Sequence, residues 1–316
     1  MKKILITGAC GFIGFHLSKK LCETGYRVIG VNNLKNINKK LQRDRLKILM
    51  KLKFFEFKKI DLTDNLKKKL NENFHAIIHL AAKPGVRESQ KNSEIYFKNN
   101  IVGFYNIIEL AKKNSNLFLY ASSSSVYGDN QLKNIGSKEN KTKITSLSFY
   151  ALTKEINENF ANYYSFNGLK CFGMRFFSVY GEYGRPDMAY YKFPLNALKN
   201  RKIFLNNKGN DLRDFTHVSD VVEGIKRLLA KATQIKKSNI FNLGTNKPVK
   251  VKKILEILRK ETKLNLKIEN KKKNKLDPDI TNANIKNAKK VFDYKTKTNF
   301  DQGYKNFLRW FIEYHK

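Results

Sequence analysis

The chain has 316 residues, 41% of them hydrophobic, and 63 Lys and Arg residues against 27 Asp and Glu residues give a formal net charge of +36. This length suffices for a full hydrophobic core and a second, smaller lobe. No apolar run approaches the ~20 residues of a membrane-spanning helix, and the chain passes directly from Met1 into an apolar strand pattern. We therefore expect neither membrane insertion nor a secretory leader.

Cysteine and charge patterns limit the function classes further. Cys10, Cys22 and Cys171 are odd in number and lack metal-ligand spacing, which predicts a reducing, cytoplasmic location and no metal site. Only 11 of the 63 basic residues are Arg, and the lysines are spread over the whole chain. This distribution indicates solvated lysine-rich faces rather than a specific nucleic-acid interface, although such a surface still attracts an anionic substrate.

Strand and helix signals alternate over the first 180 residues, which is typical of an α/β protein with a parallel sheet covered on both faces. The predicted strands are 3–7, 27–31, 53–57, 76–80, 117–121 and 171–176. The predicted helices are 12–24, 38–51, 64–72, 93–114 and 149–167. Together they predict a Rossmann-type doubly wound parallel sheet over residues 1–180.

The pattern becomes irregular after residue 180. Shorter segments follow at 201–206, 216–232, 238–243, 249–260 and 303–314. They predict a smaller C-terminal α/β lobe for substrate binding over 181–316, with an approximate boundary and interleaved segments.

A glycine-rich turn follows the first strand. Gly8, Gly11 and Gly14 have the spacing G-x-x-G-x-x-G between an apolar strand and an apolar helix. Glycine permits a tight turn, close backbone approach to a pyrophosphate and close helix–strand packing. The free N–H groups at the helix N-terminus favour phosphate. The turn therefore predicts a bound dinucleotide.

A second motif combines serine, tyrosine and lysine. The run ASSSSVYG at 121–128 precedes Tyr150 and Lys154, which share one face of a helix because they are four residues apart. A lysine ammonium beside a phenol lowers the phenol pKa, and such a tyrosine is a general base for a sugar hydroxyl. A nearby serine hydroxyl can share that hydrogen bond.

With these motifs in place, the chain resembles the extended short-chain dehydrogenase/reductase family, specifically the NAD-dependent sugar-nucleotide epimerases. The matching blocks run in family order and include TGACGFIG (7–14), HLAAKPGVRES (79–89), YASSSSVYG (120–128), YALTK (150–154) and RDFTHVSDVVEGI (213–225). The run GRPDMAYYKF (184–193), with AAKPGVRES, is most similar to the UDP-glucuronate 4-epimerases of that family.

The resemblance implies NAD as the cofactor. At the pyrophosphate it implies Gly8, Gly11, Phe12, Ile13 and Gly14. Around the adenosine, ribose and nicotinamide it implies Asn32, Asp61, Leu62, Ala81, Ala82, Lys83 and Asn100, together with Tyr150 and Lys154.

The resemblance also implies the reacting groups. Tyr150 is the expected base, Lys154 the residue that tunes it and holds the nicotinamide ribose, and Ser123 the catalytic hydroxyl. For the substrate it implies Arg87, Ser124, Ser125, Ser178, Arg185, Arg213, Asp277 and Asp279, with Arg185 at the sugar carboxylate and Arg213 at the UDP phosphates.

Two positions depart from the family pattern. Asn32 stands where the family usually has an acid for the adenosine ribose, and an amide lacks the charge that repels a 2′-phosphate, so the exclusion of NADP is left open. Near the uridine, LDPDITNAN is shortened and Asn284 replaces an acid, so that either Asp277 or Asp279 is the expected ribose contact.

The resulting expectation is 4-epimerisation of a UDP-sugar, UDP-glucuronate to UDP-galacturonate, through a transient 4-keto intermediate. The alternatives are a neutral UDP-hexose or UDP-N-acetylhexosamine 4-epimerase and a non-catalytic NAD-binding protein. Dehydration is disfavoured because Ser124 and Ser125, rather than an acid pair, follow Ser123. The apolar stripes of helices 93–114 and 149–167, read with the resemblance, imply a homodimer through these helices.

Overall fold

The structure is a computed structural model that describes residues 1–35, 39–128, 136–139, 146–237, 239–273 and 276–316. Its strands are β1 Lys3–Thr7, β2 Arg27–Asn32, β3 Phe55–Lys59, β4 Ala76–His79, β5 Leu117–Ser123, β6 Lys170–Phe176, β7 Ser178–Tyr180, β8 Ile203–Asn206, β9 Leu212–Arg213, β10 Phe215–His217, β11 Asn239–Leu243, β12 Val249–Lys250 and β13 Ile268–Lys271.

The α-helices are α1 Phe12–Glu23, α2 Lys39–Leu49, α3 Leu66–Lys69, α4 Ser93–Tyr96, α5 Gly103–Asn114, α6 Phe149–Phe166, α7 Ala189–Leu198, α8 Val218–Lys231, α9 Lys253–Glu261, α10 Lys286–Phe292 and α11 Phe300–His315. A π-helical turn, Phe97–Val102, joins α4 to α5, so the predicted helix 93–114 is continuous. Short 3₁₀ turns occupy Glu88–Gln90, Ser124–Tyr127 and Asn207–Gly209.

Seven parallel strands form the central sheet in the order β11-β6-β5-β4-β1-β2-β3. Its inner strands, such as β4 and β5, are nearly continuous apolar runs because helices cover both faces of the sheet. The chain moves outward from β1 through β2 to β3 and then returns to β4 on the other side of β1. The Rossmann-type doubly wound fold is thus confirmed, with its switch point between β1 and β4.

Two hydrophobic cores lie on the two faces of the sheet. On one face Leu17 and Leu21 of α1 pack in the same cluster as Val222 and Ile225 of α8. On the other face the α5 side chains, including Phe104, pack beneath the sheet. A third core joins α7, α9 and α11, and it contains Tyr190, Tyr191, Phe307 and Phe311.

Two segments that we expected in the smaller lobe lie with the central sheet. Helix α8 packs on α1, and β11 pairs in parallel with β6 in the register Phe241↔Met174. The division at residue 180 stays a prediction, with these two segments on the sheet side. The predicted helix 64–72 is also shorter than expected, since α3 ends at Lys69. Asn71 and Asn73 follow it, and asparagine favours turns over helix interiors.

Parallel strands bring their carboxyl ends to one edge of the sheet. Thr7, His79 and Ser123 end β1, β4 and β5 and therefore lie at the same edge. Strand β5 pairs with β6 so that Ser123 lies opposite Phe176, two residues before Ser178. In open α/β sheets, ligands bind in the crevice at this edge, beside the switch point.

Candidate functional site

In the glycine turn that connects β1 to α1, the backbone leaves no room for a side chain at Gly8 or Gly14. Gly8 has φ +71°, and a Cβ there would lie 2.8 Å from the Ala81 backbone nitrogen. A Cβ on Gly14 would lie 2.1 Å from the Gly8 carbonyl oxygen. Gly11 begins α1 and provides no side-chain cap, so the first N–H groups of the helix, at Phe12 and Ile13, are available to an anion. This turn fits a dinucleotide pyrophosphate.

The strand end beside the turn is held by buried polar groups. The Thr7 hydroxyl is 2.8 Å from His79 Nδ1 and accepts a hydrogen bond from the Ala81 amide at 3.3 Å. The Asn100 side chain accepts from the Lys83 amide at 2.7 Å and donates to the Lys83 carbonyl at 3.0 Å. Ala82 lies between these two points, so the segment facing the crevice has a fixed backbone.

The expected adenosine residues lie at the ends of β2 and β3. The Asn32 Oδ1 accepts hydrogen bonds from the Leu34 amide at 2.8 Å and from Gln42 Nε2 at 2.9 Å. The Asp61 carboxylate accepts bonds from Thr63, Asn33 and Lys35. Although burial opposes the shift, these bonds lower the pKa of Asp61 to about 2, and the group is an anion at neutral pH. The neighbouring Leu62 is buried.

The expected catalytic residues meet at the end of β5. Ser123 is the last residue of that strand, and its hydroxyl interacts with the phenol of Tyr150 and favours the phenolate. Lys154 is buried one helical turn along α6, with its Nζ 5.9 Å from the centroid of the Tyr150 ring. The same ammonium donates to the Ala121 carbonyl at 2.9 Å. The structure thus brings all three residues together.

Burial and neighbouring groups shift the pKa values of Tyr150 and Lys154. Burial raises the pKa of the phenol above its usual 10, while the positive charge of Arg185 and the hydrogen bond of Ser123 oppose that increase. Burial also lowers the pKa of Lys154 to about 8. Arg185 and Ser123 therefore favour the phenolate, and the role of Lys154 in tuning Tyr150 stays a prediction.

Three more serines follow the ends of β5 and β6, and the charge of Arg185 acts on the Tyr150 phenol. The Ser125 hydroxyl donates to the Ser123 Oγ at 2.8 Å, and Ser124 begins the 3₁₀ turn that follows β5. Ser178 begins β7. Arg185, about one-third exposed, forms an ion pair with Asp187 at 2.6 Å. A cation and hydroxyl groups beside a phenol form a cradle suited to an anionic group on a bound sugar.

The remaining expected substrate residues form a second cluster. Arg87 is ion-paired with Asp277. Arg213 is largely buried, lies 3.7 Å from Asp211 in an ion pair, and interacts with the charges of Asp277, Asp279 and Arg87. Burial lowers the pKa of Arg213, although these carboxylates oppose the shift and it stays a cation at neutral pH. The cluster thus contains two arginines and three carboxylates, which are groups that can bind the phosphates and the ribose of a nucleotide.

A buried network beneath the serines was missed by the motifs. The Arg175 guanidinium donates to both carboxylate oxygens of Glu158, at 2.8 and 2.7 Å, and Ser122 donates to the same carboxylate at 2.5 Å. The Ser89 hydroxyl accepts a bond from the Tyr150 amide at 3.0 Å. The sequence signal for Glu158 was its position four residues after Lys154 on one helix face.

Two further searches concern the described residues alone. Within the residues that the structure describes, no three His, Cys, Asp or Glu side chains are grouped so that they could hold a metal ion. Among the same residues, no helix combines the length and apolarity needed to cross a membrane.

Known proteins similar to the chain carry the same architecture. The model of the NAD dependent epimerase/dehydratase family matches residues 4–244. UDP-glucuronate 4-epimerase 2 of Arabidopsis thaliana is 37% identical, over 99% of this chain and 76% of that protein. The UDP-glucuronic acid 4-epimerase of Bacillus cereus, solved with UDP-glucuronic acid and NAD, has a TM-score of 0.90 at 28% identity, over 99% of both chains. MoeE5, solved with UDP-glucose and NAD, has a TM-score of 0.86 at 28% identity, over 99% of this chain and all of that one.

These findings confirm three of the expectations from sequence: the family resemblance, the NAD cofactor and the enzyme class, an NAD-dependent isomerase. They exclude the alternative of a non-catalytic NAD-binding protein. The chain belongs to the NAD dependent epimerase/dehydratase family.

Proposed function

We propose that this enzyme inverts C4 of a UDP-sugar, and that its substrate is UDP-glucuronate, which it converts reversibly to UDP-galacturonate. The observation that carries the proposal is that the charge of Arg185 acts on the Tyr150 phenol, together with the Ser125 hydroxyl that donates to Ser123. In a sugar whose C4 hydroxyl contacts Tyr150, the neighbouring ring carbon is C5, so the C5 substituent lies close to that contact. A C6 carboxylate there would accept charge-assisted hydrogen bonds.

In this mechanism Tyr150 moves the proton of the C4 hydroxyl. When bound, NAD would accept a hydride from C4 and later return it, and its positive nicotinamide would favour the Tyr150 phenolate. Ser123 shares the hydrogen bond to the reacting oxygen, and Lys154 holds the ribose next to the nicotinamide. After C4 is oxidised, the ketone turns its other face, and Tyr150 returns the proton when C4 is reduced.

The remaining residues are proposed to bind the two nucleotides. Arg213 and Arg87 hold the UDP phosphates, and Asp277 or Asp279 accepts the uridine ribose hydroxyls. Ser124, Ser125 and Ser178 bind the sugar and its carboxylate. On the cofactor side, Asn32, Asp61 and Leu62 contact the adenosine, and Ala81, Ala82, Lys83 and Asn100 line the ribose and nicotinamide.

A neutral UDP-hexose is the second candidate, and one observation favours it. Asp187 already neutralises Arg185, with contacts of 3.1 and 2.6 Å between the guanidinium and the carboxylate. A site for a neutral sugar would use this pair only to shape the pocket. A carboxylate substrate would instead share the Arg185 guanidinium with Asp187. The guanidinium can bind both carboxylates because arginine has five N–H donors.

Product analysis decides between the two candidates. The enzyme is incubated with UDP-glucuronate and, separately, with UDP-glucose, and the nucleotide sugars are separated and quantified. We expect efficient formation of UDP-galacturonate and slow formation of UDP-galactose. Faster turnover of UDP-glucose would contradict the uronate assignment and support the neutral-sugar enzyme.

We also propose a homodimer through the helices of 93–114 and 149–167. Large apolar side chains on these helices are exposed, among them Phe97, Tyr105, Leu152, Tyr163 and Phe166. An open apolar pocket of about 440 Å³ lies between α5 and α6 and is lined by Tyr105, Ile156, Asn159, Phe160, Tyr163 and Tyr164. Exposed apolar patches of this kind mark protein interfaces. Sedimentation of the wild type and of Tyr163→Asp tests the proposal, with a monomeric wild type contradicting it.

A further inference from the structure

Arg45 of α2 is a buried cation, and within the described part of the chain its guanidinium donates hydrogen bonds only to backbone carbonyls. It is 4% exposed. Its Nη1 donates to the Cys10 carbonyl at 3.1 Å, within the glycine turn. Its Nε and Nη2 donate to the Tyr183 carbonyl at 3.1 and 2.5 Å, and Nη2 also donates to the Gly184 carbonyl at 3.0 Å. One guanidinium therefore joins the glycine turn to the segment immediately before Arg185.

Arg45 stays charged although it is desolvated. Burial lowers the pKa of Arg45 to about 10, so the guanidinium is positive at neutral pH. Placing a charge in the interior is costly unless it is well hydrogen-bonded, and here backbone carbonyls supply the bonds. A buried cation used in this way holds the two backbone segments that it contacts in a fixed relation.

The segment 181–188 is held at four successive residues. The His16 ring on α1 donates from Nε2 to the Glu182 carbonyl at 2.9 Å, since a carbonyl oxygen can only accept. Arg45 holds the carbonyls of Tyr183 and Gly184, as described. The Arg185 amide then donates to the Tyr190 hydroxyl at 2.9 Å.

The backbone of this segment is also unusual, which explains why it needs such support. Tyr183 has φ +52°, a left-handed conformation that non-glycine residues rarely adopt. A Cβ on Gly184 would lie 2.0 Å from the Tyr190 hydroxyl. Conformations of this kind persist where the surroundings over-determine them, and they cluster at functional sites.

We infer that Arg45 is a positioning residue for substrate selection: it holds the segment that carries Arg185 against the glycine turn and so aims the Arg185 guanidinium at the sugar carboxylate. This inference rests on the proposed function, because it gives Arg45 a role in choosing the acid over the neutral sugar. Arg45 itself touches neither the sugar nor the reacting atoms.

The test compares Arg45→Lys with Arg43→Lys. Lysine keeps the charge, but its ammonium is a point donor that cannot span the carbonyls on both sides as the planar guanidinium does. Arg43 is exposed on the same helix, so it provides the same substitution without the bridge. For each variant, kcat/KM is measured with UDP-glucuronate and UDP-glucose, and calorimetry gives the affinity for both nucleotides.

We expect Arg45→Lys to lower kcat/KM and affinity for UDP-glucuronate about tenfold more than for UDP-glucose, since small misplacements of a binding group are costly. Arg43→Lys should leave kcat/KM and affinity unchanged for both substrates. On an Arg185→Ala background, Arg45→Lys should no longer alter the acid-to-neutral ratio, because residues that act through one another are not additive. If Arg45 had a merely structural role, Arg45→Lys would lower kcat/KM for both substrates alike, with or without Arg185→Ala.

The outcomes separate the two proposals. If the wild type does not turn over UDP-glucuronate, the proposed function fails and the role of Arg45 fails with it. If the wild type turns over UDP-glucuronate and Arg45→Lys lowers kcat/KM equally for both substrates, only the role of Arg45 is overturned. Should Arg45→Lys not fold, Arg45→Gln serves in its place, because it removes the buried charge and keeps an amide donor. The ratio of kcat/KM for UDP-glucuronate to that for UDP-glucose then decides in the same way.

Discussion

The Lys154 ammonium lies 5.9 Å from the centroid of the Tyr150 ring, one helical turn along α6. It is nevertheless bonded to the Ala121 carbonyl at the end of β5 and not to the phenol. The lysine therefore ties the helix to the strand that carries Ser123. This contact joins the two elements that carry Tyr150, the predicted base, and Ser123, the predicted catalytic hydroxyl.

Tyr150→Phe should nearly abolish turnover while NAD stays bound. Phenylalanine fills the same space without the hydroxyl, and loss of a general base costs ~10²–10⁴-fold. Initial rates with UDP-glucuronate and the NAD content of the purified variant are the measurements. Tyr26→Phe, made outside the crevice, is the control and should keep the wild-type rate. A Tyr150→Phe rate above roughly a tenth of wild type would contradict the assignment.

Asn32→Asp should tighten NAD binding and weaken NADP binding. One carboxylate oxygen would keep the bonds from the Leu34 amide and Gln42, and the other would accept from the adenosine ribose. A hydrogen bond to a charged group contributes ~1.5–3 kcal/mol, so about one to two decades in affinity are expected. Dissociation constants for both cofactors are measured by calorimetry. Equal changes for the two would mean that Asn32 does not face the ribose.

Arg185→Ala should separate the acid from the neutral sugar. Loss of a charge-assisted bond to the carboxylate should lower kcat/KM for UDP-glucuronate by about one to two decades. UDP-glucose lacks the carboxylate, so its slow turnover should change little. Products are also examined for a pentose nucleotide, since a loosely held 4-keto acid loses carbon dioxide. Equal losses for both sugars would show Arg185 to be structural.

Glu158→Ala should strongly destabilise the fold. It would leave the Arg175 guanidinium buried without its carboxylate, and breaking a buried pair costs ~3–5 kcal/mol of unfolding free energy. Denaturant unfolding measures the change. Glu313→Ala, at an exposed position on α11, should stay within about 0.5 kcal/mol of wild type. Similar small effects for both variants would contradict the importance of the buried pair.

Asp61 should contribute a pH-dependent part of the stability. Because its hydrogen bonds lower the pKa to about 2, its contribution is fully present above ~pH 4 and is lost as the pH falls toward 2. The shift corresponds to roughly 2 kcal/mol. Wild type should therefore exceed Asp61→Asn in unfolding free energy at pH 6, with a smaller difference at pH 3. A difference independent of pH would exclude this linkage.

The order of the elements and the crevice could be predicted from local patterns. Apolar runs identified the first six strands of the sheet, and the spacing of Gly8, Gly11 and Gly14 identified the turn because its backbone admits no Cβ. Helix 93–114 was predicted as one unit, but its π-helical turn was not, since nothing in the spacing distinguishes it. Segment 238–243 was expected in the smaller lobe, whereas β11 pairs with β6 in the central sheet. Its neighbour is more than 60 residues away in the chain, so no local pattern indicates the pairing.

The sequence by itself determined the family and the cofactor, and it predicted the Ser123, Tyr150 and Lys154 set. All of these depend on short motifs whose residue types are dictated by geometry and chemistry within a few residues. Only the tertiary structure decided which charges act on them. The pairing of Arg175 with Glu158, and the bridge of Arg45 to Tyr183, join residues 17 and 138 positions apart. Such contacts depend on burial and on the direction of side chains across packed layers, which no local pattern contains.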